Sequence, residues 1–246
     1  LESSAGRLER TIEIYEAAVV AAPYNRDYRV GLAVRLQAQG REAEATAILR
    51  DATDAKNPAL AAEAWVDLAG FLLDREDYDE AIEAFDQALE LIVQPSVDLM
   101  FRYADALIIS SRFDEAMEVA DRSQVSAHRD LIRGRVHLER GQPALALESL
   151  SDSLKLWPDN AVARYYTSLA AEGVGDYERA IEEMRYSIRA GASLTDSRAR
   201  LARLHMAEGQ LTDALEVLSH DIVRQPGDVE MAVLGIELSA RLALAD

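Results

Sequence analysis

The sequence predicts an all-α protein, an α-solenoid of about six stacked antiparallel helical hairpins with a further helix at each end. Three observations support this: an alanine recurs at a nearly fixed interval, a glycine precedes most of these alanines, and apolar residues flank them at helical spacing. No stretch combines period-two alternation with the turn dipeptides of a β-hairpin. Such repeats stack in one dimension, so a single solenoid domain over residues 1–246 needs no central core.

The recurring alanine marks the second helix of each hairpin. Successive alanines are 36, 35, 30, 34 and 34 residues apart, and a bulky apolar residue follows four positions later in most units. A small side chain lets two helix backbones approach closely, while the bulky neighbour fills the volume around the contact. The alanines are Ala45, Ala81, Ala116, Ala146, Ala180 and Ala214.

The turn inside each hairpin is predicted five residues before the alanine. Four units carry a glycine there, at Gly40, Gly141, Gly175 and Gly209. Glycine adopts positive φ without steric cost, which suits the residue that ends one helix and leads into the next.

The elements follow this register along the chain. Residues 11–23 match a second helix whose first helix is largely missing, and residues 63–92 form the clearest hairpin. The third unit departs from the pattern, because its step is only 30 residues and Ala120 stands where a large residue belongs. We therefore expect a short helix from Phe113 to about Arg122 and an irregular junction near residues 123–127.

That junction divides the expected solenoid into an N-terminal block, 1–123, and a C-terminal block, 124–246. Two interpretations stay open. The shortening is a deletion tolerated in a loop, or it is a bend that shapes a binding pocket.

The spacing resembles the tetratricopeptide repeat family, whose pattern is W-x2-L-G-x2-Y, then A-x3-F, then P. The second unit matches best, with Trp65, Leu68, Ala69 and Leu72 followed by Ala81 and Phe85. The resemblance covers the chain from about residue 10 onward. It implies a right-handed superhelix and a protein or peptide partner, but it does not identify that partner.

Composition and charge exclude further classes of partner. The formal charge is −18, and residues 61–124 alone carry 16 Asp and Glu against 4 Arg. Such a field repels phosphate, so we expect no nucleic-acid partner. The acidic excess is either a solvated exterior or a surface that steers a basic segment of a partner. No apolar run is long enough to span a bilayer, so no membrane insertion is expected.

We predict that the chain is not an enzyme and holds no cofactor or metal. It contains no cysteine, no P-loop, no G-x-S-x-G and no H-E-x-x-H motif. His137 and His205 fall at helix-packing positions of the repeat, which makes them core-edge residues rather than ligands. The lack of cysteine does not decide the compartment; the sequence slightly favours the cytoplasm over the periplasm.

The resemblance implies that the first helix of each hairpin lines a concave, partner-binding groove. Its partner-facing positions predict a groove that runs from acidic, through aromatic and aliphatic, to basic. Large aromatic and arginine side chains are the usual anchors of interfaces. The predicted groove residues are Asp67, Phe101, Arg102, Asp105, Ile132, Arg135, Tyr165, Tyr166, Arg200 and Arg203. Of these, Phe101, Ile132, Tyr165 and Tyr166 are expected to form the centre of binding.

Two functions remain open at this stage. The first is an interaction scaffold that binds an extended segment or a helix of a partner in the groove. The second is a regulatory or substrate-presenting arm of a larger enzyme or of a secretion or assembly complex.

The C-terminal helix is expected to carry apolar residues on more than one stripe and to leave one stripe exposed, with Leu238 and Leu242 as the residues to test for a dimer contact. Leu234 and Gly235 match the start of a seventh unit whose second helix is missing. Either the protein continues beyond both ends, which we favour, or a second copy of the chain covers the stripe. In both cases the helix makes this chain prone to form a homo-oligomer.

Overall fold

The structure is a computed structural model, and it describes residues 4–191, 196–222 and 229–245. Over these ranges it contains fourteen α-helices, one 3-10 helix and no strand, so the all-α prediction is confirmed. No helix among the described residues is both long and apolar enough to cross a membrane.

The helices fall into two compact units, and the first is Leu1–Val119. It begins with α1 (Ser4–Ala21), the second helix predicted near the N-terminus. Three hairpins follow, with a 3-10 turn (Ala52–Asp54) after the first of them. They are α2 (Arg26–Gln37) with α3 (Glu42–Asp51), α4 (Pro58–Asp74) with α5 (Tyr78–Leu91), and α6 (Val97–Ile109) with α7 (Phe113–Arg122).

The second unit is Ala120–Asp246, and it also contains three hairpins and a terminal helix. The boundary between the units falls inside α7, whose short length matches the prediction. The hairpins are α8 (Ser126–Glu139) with α9 (Pro143–Leu156), α10 (Ala161–Gly173) with α11 (Tyr177–Arg189), and α12 (Ser197–Ala207) with α13 (Leu211–Ile222). The terminal helix is α14 (Val229–Ala245).

All six hairpin turns share one hydrogen-bonding pattern. In the first, Gly40 N–H donates to Gln37 O at 2.9 Å and Arg41 N–H donates to Leu36 O at 2.9 Å. This is a Schellman motif, in which the residue after the helix takes positive φ. The four predicted glycines have φ between 68° and 81°. In the second and third hairpins the same place is taken by Glu76, with φ 64°, and Ser111, with φ 59°.

The hairpins close on small residues, as predicted. All six of the recurring alanines are completely buried. In the fourth hairpin, Gly134 of α8 faces α9 so closely that a Cβ on it would lie 2.4 Å from Leu150 Cγ. A side chain at this position would therefore displace Leu150, which is completely buried.

Two buried serines of the second unit tie each second helix back to the start of its own first helix. Ser153 Oγ donates to Ala127 O at 2.7 Å, and Ser187 Oγ donates to Ala161 O at 2.8 Å. The two serine donors are 34 residues apart, and so are the two carbonyl acceptors, which is one repeat length. The repeat thus fixes buried hydrogen bonds as well as apolar contacts.

The C-terminal helix corrects one prediction. Leu238 is buried in a core cluster with Ala202, Leu218 and Leu234, and Leu242 packs against that cluster. Among the α14 residues whose burial the structure describes, 232–242, the exposed large apolar side chains are Val233, 57% exposed, and Ile236, 71% exposed. Leu238 and Leu242 therefore do not lie in an exposed stripe, because they form the contact with α12 and α13.

Candidate partner-binding face

All ten predicted binding residues lie on first helices of hairpins. We call the surface formed by these helices the first-helix face and describe it separately in each unit. In the first unit, α4 carries Asp67, and α6 carries Phe101, Arg102 and Asp105. In the second unit the face is built from α8, α10 and α12.

Asp67 is buried in an ion pair instead of facing a partner. Arg26 of α2 donates from Nε to its Oδ1 at 2.9 Å and to its Oδ2 at 3.2 Å. The buried Arg29 places Nη2 3.9 Å from Asp67 Oδ2. Burial raises the pKa of Asp67, and the hydrogen bond from Arg26 opposes that rise. Because Asp67 pairs with two arginines of α2, it adds no unpaired negative charge to the acidic part of the predicted groove.

The three residues of α6 are half-buried along the helix. Arg102 lies over Gly70 of α4, because a Cβ at Gly70 would be only 2.5 Å from Arg102 Nη2. The missing side chain of Gly70 provides the space that the guanidinium fills. Arg102 is thus held against the neighbouring first helix, with part of its surface open to solvent.

In the second unit, Ile132 of α8 cannot serve as a contact residue. It is only 1% exposed, so it offers a partner almost no area. Its place in the predicted binding centre is not supported, because the side chain packs into the hairpin core.

Arg135, one helical turn after Ile132, forms a stack with an aromatic ring of the next hairpin. Its guanidinium carbon lies 4.7 Å from the centre of the Tyr166 ring of α10. Arg135 is only 8% exposed, and this burial lowers its pKa from the ordinary arginine value. A desolvated guanidinium gains more from an aromatic face than an exposed one does. The half-buried Tyr166 ring is therefore held on one side by a buried cation.

Tyr165 connects the same ring to α12. The Tyr165 and Tyr166 rings meet edge to face, with centroids 5.3 Å apart and planes at 83°. Tyr165 itself is buried, and its hydroxyl lies 2.9 Å from both carboxylate oxygens of Asp196. Burial, followed by this hydrogen bond, raises the pKa of Tyr165 to about 12.

Asp196 in turn binds Arg200 of α12, whose Nε donates to its Oδ2. Although burial opposes it, the bonds from Arg200 and Tyr165 lower the pKa of Asp196 below its ordinary value. Burial also opposes the charge of Arg200, but the bond to Asp196 raises its pKa overall. Both groups are therefore ionised at neutral pH.

These contacts join α8, α10 and α12 into one arrangement, which we call the aromatic–arginine cluster. Arg203 lies exposed one turn beyond Arg200 on α12. The cluster is held by contacts within the chain, so its side chains lose little further freedom when a partner binds. The cluster consists of Arg135, Tyr165, Tyr166, Asp196 and Arg200.

Sequence reasoning did not connect two charged residues, Arg26 and Asp196, to their partners in these networks. Arg26 lies 41 residues from Asp67, and no local pattern connects them. Asp196 occupies the residue immediately before α12, a position that favours aspartate for helix capping. That position was the available signal for Asp196, but it does not predict the bond to a tyrosine 31 residues away.

Comparison with known protein families gives a match over most of the chain. The profile described as tetratricopeptide repeat matches residues 30–94, 72–127 and 133–195. Together these stretches cover more than half of the sequence. No curated protein sequence matches the chain.

Several solved structures share the fold. One is the APC/C hetero-tetramer Cut9–Hcn1, 16% identical with a TM-score of 0.67 over 96% of this chain. This chain spans about half of that protein, 47% of its length. PilW, a type IV pilus biogenesis factor, is 21% identical with a TM-score of 0.66, over 85% of this chain and 99% of its own. A thermophilic TPR protein of Thermus thermophilus is 18% identical with a TM-score of 0.60, over 73% of this chain and 100% of its own.

At these identities the solved structures establish the fold alone. The family match goes further, because tetratricopeptide repeats form scaffolds for protein–protein interaction. The repeat register, the six Schellman turns and the profile match agree, and the chain belongs to the tetratricopeptide repeat family.

Proposed function

We propose that this scaffold binds a segment or helix of a partner protein on the first-helix face of its second unit, centred on Tyr166. The observation that carries the proposal is the half-buried Tyr166 ring, which is fixed by Arg135 on one side and by Tyr165 at its edge. Tyrosine and arginine are enriched among the residues that dominate binding energy.

The cluster favours binding because contacts within the chain already restrict the rotamers of its side chains. A mobile tyrosine loses rotamer freedom when a partner orders it, at a cost of roughly 0.5–1.5 kcal/mol. Tyr166 is already held by the neighbouring ring, and Arg200 by Asp196. Contact area gained on Tyr166 therefore converts into affinity with little loss to ordering.

The chemistry of the face also defines the partner segment. Tyr166 and the half-buried Leu169 lie one turn apart on α10, and the helix packed against it, α12, carries Arg200 and the exposed Arg203. An apolar or aromatic side chain on Tyr166, with a carboxylate one turn away, would match both parts. We therefore expect a segment that carries a large apolar residue and at least one acidic residue.

The experiment compares two tyrosine substitutions in the same unit. A partner is first identified by affinity capture with the full chain and mass spectrometry, and is then purified for calorimetry. Tyr166→Ala should weaken its binding by about 1–2 kcal/mol or more. Tyr186 of α11 is 43% exposed and lies on a second helix, so Tyr186→Ala is the matched control and should leave the affinity unchanged.

Circular dichroism melts would show that both variants stay folded. Equal affinity of the wild type and Tyr166→Ala would contradict the proposal. A loss confined to Tyr186→Ala would assign binding to the second helices instead.

A further inference from the structure

The first unit contains a groove that is lined by its second helices α3 and α5 and by part of the first helix α4. It lies between α3 and α5 and has a volume of about 620 Å³, with an adjoining depression of about 520 Å³. The half-buried Trp65 indole lines it together with the buried side chains of Leu68, Leu72 and Ala84. An apolar surface with an open indole is suited to a partner side chain.

The walls of this groove carry uncompensated negative charge. Its two arginines are already paired: Arg50 lies 3.0 Å from Glu80, and Arg75 lies 2.9 Å from Asp77. Glu83 lines the groove and Asp51 lines the adjoining depression, and neither makes an ion pair within the described residues. The groove lies at the edge of the segment of highest acidity, residues 61–124 with a net charge of −12.

The second unit contains a groove of similar volume that differs in how its aromatic ring is covered. It lies along α11 and α13, has a volume of about 630 Å³, and includes Tyr186. There the aromatic ring is already covered by the chain itself, because the guanidinium carbons of Arg164 and Arg189 each lie 4.5 Å from its centre. Within the described residues, no arginine of the first unit stacks on Trp65 in this way.

We propose that the α3–α5 groove of the first unit is a second docking site and that it takes an arginine-containing basic segment of a partner. One guanidinium of the segment stacks on Trp65, and the neighbouring cations pair with Glu83 and Asp51. Arginine fits better than lysine because its planar group stacks on an indole and donates two parallel hydrogen bonds to a carboxylate. This site is independent of the first-helix face of the second unit.

The test uses the full chain and a hexa-arginine peptide, with hexalysine as a probe of equal charge. Calorimetry at low salt should show tighter binding of hexa-arginine than of hexalysine, and added salt should weaken both. Glu83→Lys should reduce the hexa-arginine affinity about tenfold. Glu118 of α7 is exposed and lies outside the groove, so Glu118→Lys is the control with the same change in net charge.

A second readout does not depend on any variant. The chain has two tryptophans, Trp65 and Trp157, so two indole N–H signals are expected in a ¹⁵N spectrum. Hexa-arginine should shift the Trp65 signal and leave the Trp157 signal in place. Equal weakening by Glu83→Lys and Glu118→Lys would show a general field effect and overturn the proposal. A Trp65 signal that stays fixed at saturating peptide would overturn it as well.

Discussion

Replacing Glu76 or Ser111 by glycine should stabilise the first unit, although both changes remove a side chain. These residues end α4 and α6 with φ of 64° and 59°, in the conformation that glycine adopts in the other four turns. Their backbone N–H groups complete the same motif, with Glu76 donating to Leu73 O at 2.9 Å and Ser111 to Ile108 O at 3.0 Å. The substitutions therefore remove strain and keep every backbone hydrogen bond of the turn.

The size of the effect follows from two opposing contributions. A non-glycine residue in the left-handed region costs about 1–2 kcal/mol. The change to glycine also destabilises the protein by about 0.4–1 kcal/mol, because glycine increases the entropy of the unfolded chain. The net gain is about 0.5–1 kcal/mol for each turn, and the two turns should add because they share no contact. At this chain length that corresponds to a rise in melting temperature of about 2–8 °C for the double variant.

Urea unfolding followed by circular dichroism measures this change directly. Ser111→Gly alters no charge, so it separates the backbone effect from the loss of the Glu76 carboxylate. Gly175→Ala is the reverse control: with φ of 81° at Gly175 it should destabilise the second unit. The reasoning would be refuted if Glu76→Gly and Ser111→Gly both lowered the urea midpoint, as glycine does inside a helix.

Two other predictions concern the second unit. The pKa of Tyr165 is raised from 10.0 to about 12, so its contribution to stability is complete below the unfolded value and is lost as the pH rises through the folded one. The urea midpoint of Tyr165→Phe should therefore fall less than that of the wild type between about pH 10 and pH 12, and parallel curves would contradict the Tyr165–Asp196 bond. We also expect the exposed Val233 and Ile236 to promote self-association. Sedimentation should show oligomers that disappear in Val233→Glu with Ile236→Glu, and a strictly monomeric wild type at high concentration would contradict this.

The repeat was predictable because its contacts are local. The alanine and the glycine each report a backbone constraint at a fixed distance along the chain, and both constraints are present in the structure. Glu76 and Ser111 were missed because they are not glycine. Their position five residues before Ala81 and Ala116 was the signal that could have identified them.

The start of α4 was less visible in the sequence. The best-matching unit was placed from residue 63, yet α4 begins at Pro58, with the Asn57 side chain accepting from Ala59 N–H at 3.0 Å. Asparagine followed by proline is a helix-start signal, so the information was present but outside the repeat frame.

The binding face could be predicted only as a set of positions. The register places Asp67, Ile132 and Tyr165 on first helices, as observed, but all three are buried. Two of them also bind partners that are distant in the sequence, since Arg26 lies 41 residues from Asp67 and Asp196 lies 31 residues from Tyr165. A periodic pattern records which face of a helix a residue occupies, and not how closely the next helix approaches.

The most direct test of the account is amide hydrogen exchange of the full chain with and without its captured partner. If the partner binds the aromatic–arginine cluster, protection should increase in α10 and α12 of the second unit. The increase should be lost in Tyr166→Ala and kept in Tyr186→Ala. Protection confined to α11 and α13, with α10 and α12 unchanged, would contradict binding on the first-helix face.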